Sequence, residues 1–229
     1  MKIKRLFPLI VVCLLFCGTC YGGVAFEGVG WGIFGVPDPN TGSVVYDGVG
    51  TSVFKNGAPI GATPETIFTF SDTVFSTGID ELFPVLRLYY YNGITEMGTS
   101  VDSVPVTLNV IFTSHSFITT NLEFRLENIV TNNDLPENAD QLVFHDLPAS
   151  TVFDLNGSLY NLEVLGFSND GGVTFISSII LEEEGLAEAD LYARITVPEP
   201  SVLALLLAGT LCFRTRRRNI KYQTKQLEI

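Results

Sequence analysis

Two histidines, a large surplus of carboxylates and a small set of aromatics are the residues of this chain that could do chemistry. His115 and His145 are its only imidazoles. They fall on different predicted strands, without the close spacing of a zinc pair. His145-Asp146 beside a serine would supply part of a nucleophilic triad. No Gly-x-Ser-x-Gly elbow is present, however, and adjacency in sequence does not create triad geometry. Paired carboxylates of the glycosidase kind are compatible with so many acids, but no spacing picks out one pair. No catalytic residue is therefore assigned.

Oxygen donors gather in three places. Asn169-Asp170-Gly171-Gly172 and Asp38-Pro39-Asn40-Thr41-Gly42 are turn-like clusters, and Glu182-Glu183-Glu184 is an acidic run. None follows the Asp-x-Asp-x-Asp-Gly pattern of a calcium loop. Such clusters ordinarily form turns and solvated edges, so no metal ligand is assigned. Structural calcium stays open, because hard-cation sites are also assembled from distant loops; no other cofactor is expected. Among the aromatics, Trp31, Tyr89 and Tyr91 are the candidates for stacking on a ligand. An aromatic on a strand serves more often in the core or in cross-strand packing.

The elements that must position these residues read as strands. Val104, Val106, Leu108, Val110 and Phe112 alternate with mostly polar neighbours, as do Leu122, Phe124 and Leu126, and the run Ala187 to Val197. Period-two alternation marks strands with one wet face. Thr66–Phe70, Val85–Tyr91, Leu142–Leu147 and Phe175–Leu181 are further strands. Asn156-Gly157, set between Val152–Leu155 and Leu159–Phe167, predicts a hairpin, because both turn positions favour a positive φ. No long 3.6-residue pattern occurs, so helices should be short or absent. Roughly eight to ten strands at this spacing predict an all-β domain, a single antiparallel β-sandwich of jelly-roll type.

Charge and cysteine usage narrow the setting. From Val24 to Pro200 there are four basic residues, Lys55, Arg87, Arg125 and Arg194, against 24 acidic ones, a net of −20, whereas the whole chain is −12. Phosphate backbones repel such a domain, which excludes nucleic acid as a partner. Acidity of this size also keeps an exported protein soluble. Cys13, Cys17 and Cys20 lie near the start and Cys212 near the end, so the stretch between has no disulfide and no thiolate chemistry.

The two ends carry addresses. Lys2, Lys4 and Arg5 precede the apolar stretch Leu6–Phe16, and small residues follow. This is the layout of a secretory signal peptide over residues 1–22, and it predicts a helix there. Cleavage should leave a mature start near Tyr21 to Phe26. At the other end, Val197-Pro198-Glu199-Pro200-Ser201 leads into an uncharged Leu/Ala/Val-rich stretch reaching Phe213. As a helix it would span roughly 20 Å, short against a hydrocarbon core of about 30 Å. Such a segment suits a temporary anchor. Arg214, Arg216, Arg217 and Arg218 then stop it, and the positive-inside tendency places them in the cytoplasm. Pro198 and Pro200 hold the preceding residues extended, a form that a processing enzyme can grip.

A Pro-Glu-Pro motif, a transmembrane-like segment and an Arg cluster in this order resemble the PEP-CTERM sorting signal. The resemblance covers 197–219 and leaves 220–229 as a basic cytoplasmic extension. It implies recognition of Pro198, Glu199 and Pro200 by exosortase, after transport by the general secretion machinery and signal peptidase. A second resemblance covers 23–196. Gly30-Trp31-Gly32, the run Leu86 to Gly93 with Gly98-Thr99, and Thr131-Asn132-Asn133 ahead of Ala139-Asp140 are similar to the choice-of-anchor K domain, an extracellular bacterial domain joined to varying sorting signals. That family supplies no catalytic residues.

Together these readings predict an exported, non-enzymatic protein of structural or adhesive type. It would be held transiently in the inner membrane and delivered to the cell surface or exopolysaccharide matrix of a biofilm. A carbohydrate-binding module acting on exopolysaccharide ranks second, and a secreted glycoside hydrolase third.

Overall fold

In a computed structural model of the protein, residues 25–38, 43–114, 118–130 and 139–198 are described. They form twelve strands: β1 (Phe26–Phe34), β2 (Tyr46–Asp47), β3 (Val53–Asn56), β4 (Thr66–Thr77), β5 (Leu82–Tyr91), β6 (Ser103–Phe112), β7 (Ile118–Ile129), β8 (Ala139–His145), β9 (Ala149–Leu155), β10 (Ser158–Ser168), β11 (Ser178–Glu182) and β12 (Leu186–Thr196). The expected all-β class is what the chain adopts, and no helix occurs among the described residues. The signal and tail helices expected at the two ends lie outside them.

Every pairing is antiparallel, along one path in the order β11-β8-β7-β6-β1-β4-β5-β12-β10-β9, with β3 on the flank of β4 and β2 on β3. Alternation dictates which face turns inward. In β6, Val104, Val106, Leu108, Val110 and Phe112 are all buried, as the period-two reading requires. The predicted hairpin also forms: Leu155 pairs with Ser158, and Asn156 and Gly157 take φ of 54° and 82°. The Asp154 carboxylate accepts the Gly157 amide at 2.7 Å and fixes that turn.

The sheet curls because three strands change face in register with one another. β4 buries Thr66, Phe68 and Phe70, then Phe75 and Thr77, so its inward parity flips across the exposed pair Ser71 and Asp72. β5 buries Val85 and Leu86 in succession, where its register against β12 slips between Leu191 and Tyr192. β10 slips between Val164 and Gly166. Extra residues on nearby strands bend a sheet at a common corner.

Curling brings distant strands together over an aromatic core. Phe153 of β9 stacks on Phe112 of β6 at 4.5 Å between ring centroids, and Phe26 of β1 packs edge-on to Tyr160 of β10 at 5.1 Å. Phe34 stacks on Phe70 at 4.7 Å, Phe70 meets Phe124, and Phe124 meets Phe167. Burial of one such ring stabilises the fold by roughly 1.5–3 kcal/mol.

Candidate functional site

The outer face of β5 and β12 groups half-buried polar and aromatic side chains with the exposed Glu188. Arg87 is opposite Asp190, Tyr89 opposite Glu188, and Tyr91 opposite Leu186. Because Arg87, Tyr89 and Tyr91 are two residues apart, they share one face. Tyr90, with the other parity, is fully buried. The Arg87 guanidinium donates twice to Asp190, Nε to Oδ1 at 2.6 Å and Nη2 to Oδ2 at 2.9 Å. Asp190, and secondarily Tyr89, hold the guanidinium pKa above its ordinary value. This fork-on-carboxylate geometry is the strongest form of surface ion pair.

Beside the pair lies a cleft of about 70 Å³, lined by Arg87, Ser168, Asn169, Gly171, Glu188, Ala189 and Asp190. Ligand pockets for drug-sized molecules run to about 300–1,000 Å³. The cleft is therefore too small to enclose a ligand of that size.

One wall of the cleft is the Asn169-Asp170-Gly171-Gly172 turn, and its carboxylate is committed to the turn itself. Asp170 Oδ1 accepts from the Ser168 hydroxyl at 2.7 Å, the Thr174 amide at 3.0 Å and the Val173 amide at 3.1 Å. Its Oδ2 accepts from the Thr174 hydroxyl. The Thr174 hydroxyl and amide, then the Ser168 hydroxyl, bring the Asp170 carboxyl down to about 2. A carboxylate held by four protein donors organises a turn; the glycines follow at φ of 80° and 85° to close it.

The other sequence candidates are dispersed. Trp31 is half-buried on the outer face of β1, opposite Asn109 of β6, with β4 between its strand and the one carrying Tyr89 and Tyr91. The structure thus gathers the two tyrosines with Arg87, Glu188 and Asp190, and leaves Trp31 on another strand pair. His145 pairs through Nε2 with the Glu127 carboxylate of β7 at 2.5 Å, and both are well exposed. Its partner is a carboxylate, not a serine hydroxyl. His115 lies outside the described residues, as do Glu199, Pro200, Arg214, Arg216, Arg217 and Arg218; Pro198 is the last described residue. Asp38 exchanges backbone hydrogen bonds with Ser103 at 2.8 and 2.9 Å, and residues 39–42 of its cluster are outside. Glu182 ends β11, and Glu183 and Glu184 turn the chain towards β12, where the Glu184 amide donates to the Asn92 carbonyl at 2.7 Å.

The sequence reading missed Arg87, Glu188 and Asp190 as one group. The signal lay in the outward parity of β5 and β12, which becomes a cluster only once the two strands are known to pair. The chain matches no family model and no curated protein.

Proposed function

We propose that this chain is an exported protein of a bacterial cell surface or extracellular matrix, structural or adhesive in role and not an enzyme. On this reading exosortase recognises Pro198, Glu199 and Pro200 while the stretch up to Phe213 and the cluster Arg214, Arg216, Arg217 and Arg218 hold the chain briefly in the inner membrane. The strand domain is then a jelly-roll-like β-sandwich of choice-of-anchor K type. The observation that carries this reading is the fixed order of motif, short apolar segment and arginine cluster following an acidic domain.

A second reading is a carbohydrate-binding module for exopolysaccharide. It is favoured by the shared outer face of Arg87, Tyr89, Glu188 and Asp190 beside the cleft, since aromatic and charged groups on one sheet face offer both stacking and hydroxyl partners.

Mass spectrometry of the protein recovered from its native envelope tests the principal reading. The expected N-terminus lies between Tyr21 and Phe26, and the expected C-terminus lies upstream of the arginine cluster. Recovery of a surface protein that still ends at Ile229 would contradict it.

A further inference from the structure

One end of the sheet buries polar atoms that the protein leaves without hydrogen-bond partners. Asn128, near the end of β7, is 6% exposed, and neither its amide nitrogen nor its amide oxygen has one. Asn92, directly after β5, is fully buried; its amide nitrogen donates to the Leu181 carbonyl at 3.0 Å, which leaves Oδ1 alone. The fully buried Tyr90 hydroxyl is alone as well. Each such atom destabilises the fold when nothing satisfies it.

Strand register brings these groups to Asp140, which is itself only 4% exposed. Leu181, whose carbonyl Asn92 grips, is directly opposite Asp140 in the β8–β11 pair. Asn128 is directly opposite Leu142 in the β7–β8 pair, and Leu142 and Asp140 both point inward two residues apart. Asn128 is therefore the diagonal neighbour of Asp140, at about 7–8 Å between backbones, within reach of a shared guest. Asp140 also acts electrostatically on Tyr90 and on the half-buried Glu183 of the adjoining turn.

The chemistry of the donors selects that guest. A carboxylate, two amide oxygens, a phenol and a second carboxylate nearby are all hard oxygen donors. None of these donors is a histidine nitrogen or a cysteine sulfur, so the set suits a hard cation rather than zinc. Calcium accepts amide oxygens beside a carboxylate in flexible geometry and completes its six to eight ligands with water. We propose that this end of the sheet binds calcium through the Asp140 carboxylate and the amide oxygens of Asn92 and Asn128. The site lies apart from the Arg87–Asp190 cleft and the Asp170 turn, and it does not depend on how the chain is sorted.

The test uses the full chain, purified in mild detergent and stripped with a calcium chelator. Calcium should raise its thermal midpoint by mass action, magnesium at the same concentration should not, and terbium should luminesce on excitation of tyrosine. Asn128→Leu replaces an unpartnered amide with an apolar side chain of similar size, so the calcium-free protein should fold with a midpoint equal to or above wild type. Its calcium affinity should fall about tenfold or more, and Asp140→Asn should abolish the response. A wild-type midpoint indifferent to calcium would overturn the proposal and leave ordered water as the guest. So would an equal response to magnesium, or an undiminished calcium response in Asn128→Leu.

Discussion

Gly30 of β1 sits so close to Val85 of β5 that a Cβ on the glycine would lie 2.0 Å from the Val85 carbonyl oxygen. Val85 is the bulged residue of β5, so this contact is made at the corner where the sheet turns. Gly28 and Gly32 line the same inward face, and a Cβ on either would also collide with its neighbours. The glycines are thus a packing requirement of the corner, placed between the buried rings of Phe26 and Phe34.

Gly30→Ala should accordingly destabilise the protein by about 1–3 kcal/mol or more, the range of overpacked sites, because the obstructing atom is backbone and cannot rotate away. The urea midpoint reads this directly. A wild-type midpoint would show that β1 and β5 do not approach in this way.

Parts of this fold were legible from the chain alone, for stated reasons. β6 and β12 announced themselves through alternation of apolar with mostly polar residues. The β9–β10 hairpin did so through Asn156-Gly157. β1 escaped, since between its inward Phe26 and Phe34 the inward positions are Gly28, Gly30 and Gly32 and carry no apolar side chain to register the period. β2 and β3 escaped because two and four residues are too short to show one. Trp31 drew notice by residue type, yet type says nothing about which strand pair carries it. The Arg87–Asp190 relationship spans a separation of 103 residues, and only pairing of β5 with β12 reveals it.

The Asp170 turn predicts an acid-sensitive wall of the cleft. Its carboxyl is depressed in the folded protein from an ordinary 3.8 to about 2. The carboxylate therefore stabilises the fold fully above about pH 4, and this contribution is lost as pH falls towards 2. Asp170→Asn should lower the urea midpoint at neutral pH, and the gap to wild type should narrow as pH drops through that window. A gap independent of pH would mean that the charge of Asp170 plays no part in closing the turn.

If the outer face of β5 and β12 binds exopolysaccharide, the loss should follow that face. Tyr89→Ala and Arg87→Met should weaken binding in a glycan array, and Trp31→Ala, on the β1–β6 pair, should leave it unchanged. Loss of binding in Trp31→Ala with retained folding would move the ligand face to β1.

The sorting reading meets its most direct test in replacement of Pro198, Glu199 and Pro200 together by alanine. The apolar stretch and the arginine cluster remain in that variant, so insertion and orientation should be preserved. Fractionation of cells that express it should show a longer species accumulating in the inner membrane, while wild type loses its arginine tail and reaches the surface or matrix. If the alanine variant instead matures and localises as wild type does, recognition of the Pro-Glu-Pro motif is not what sorts this protein.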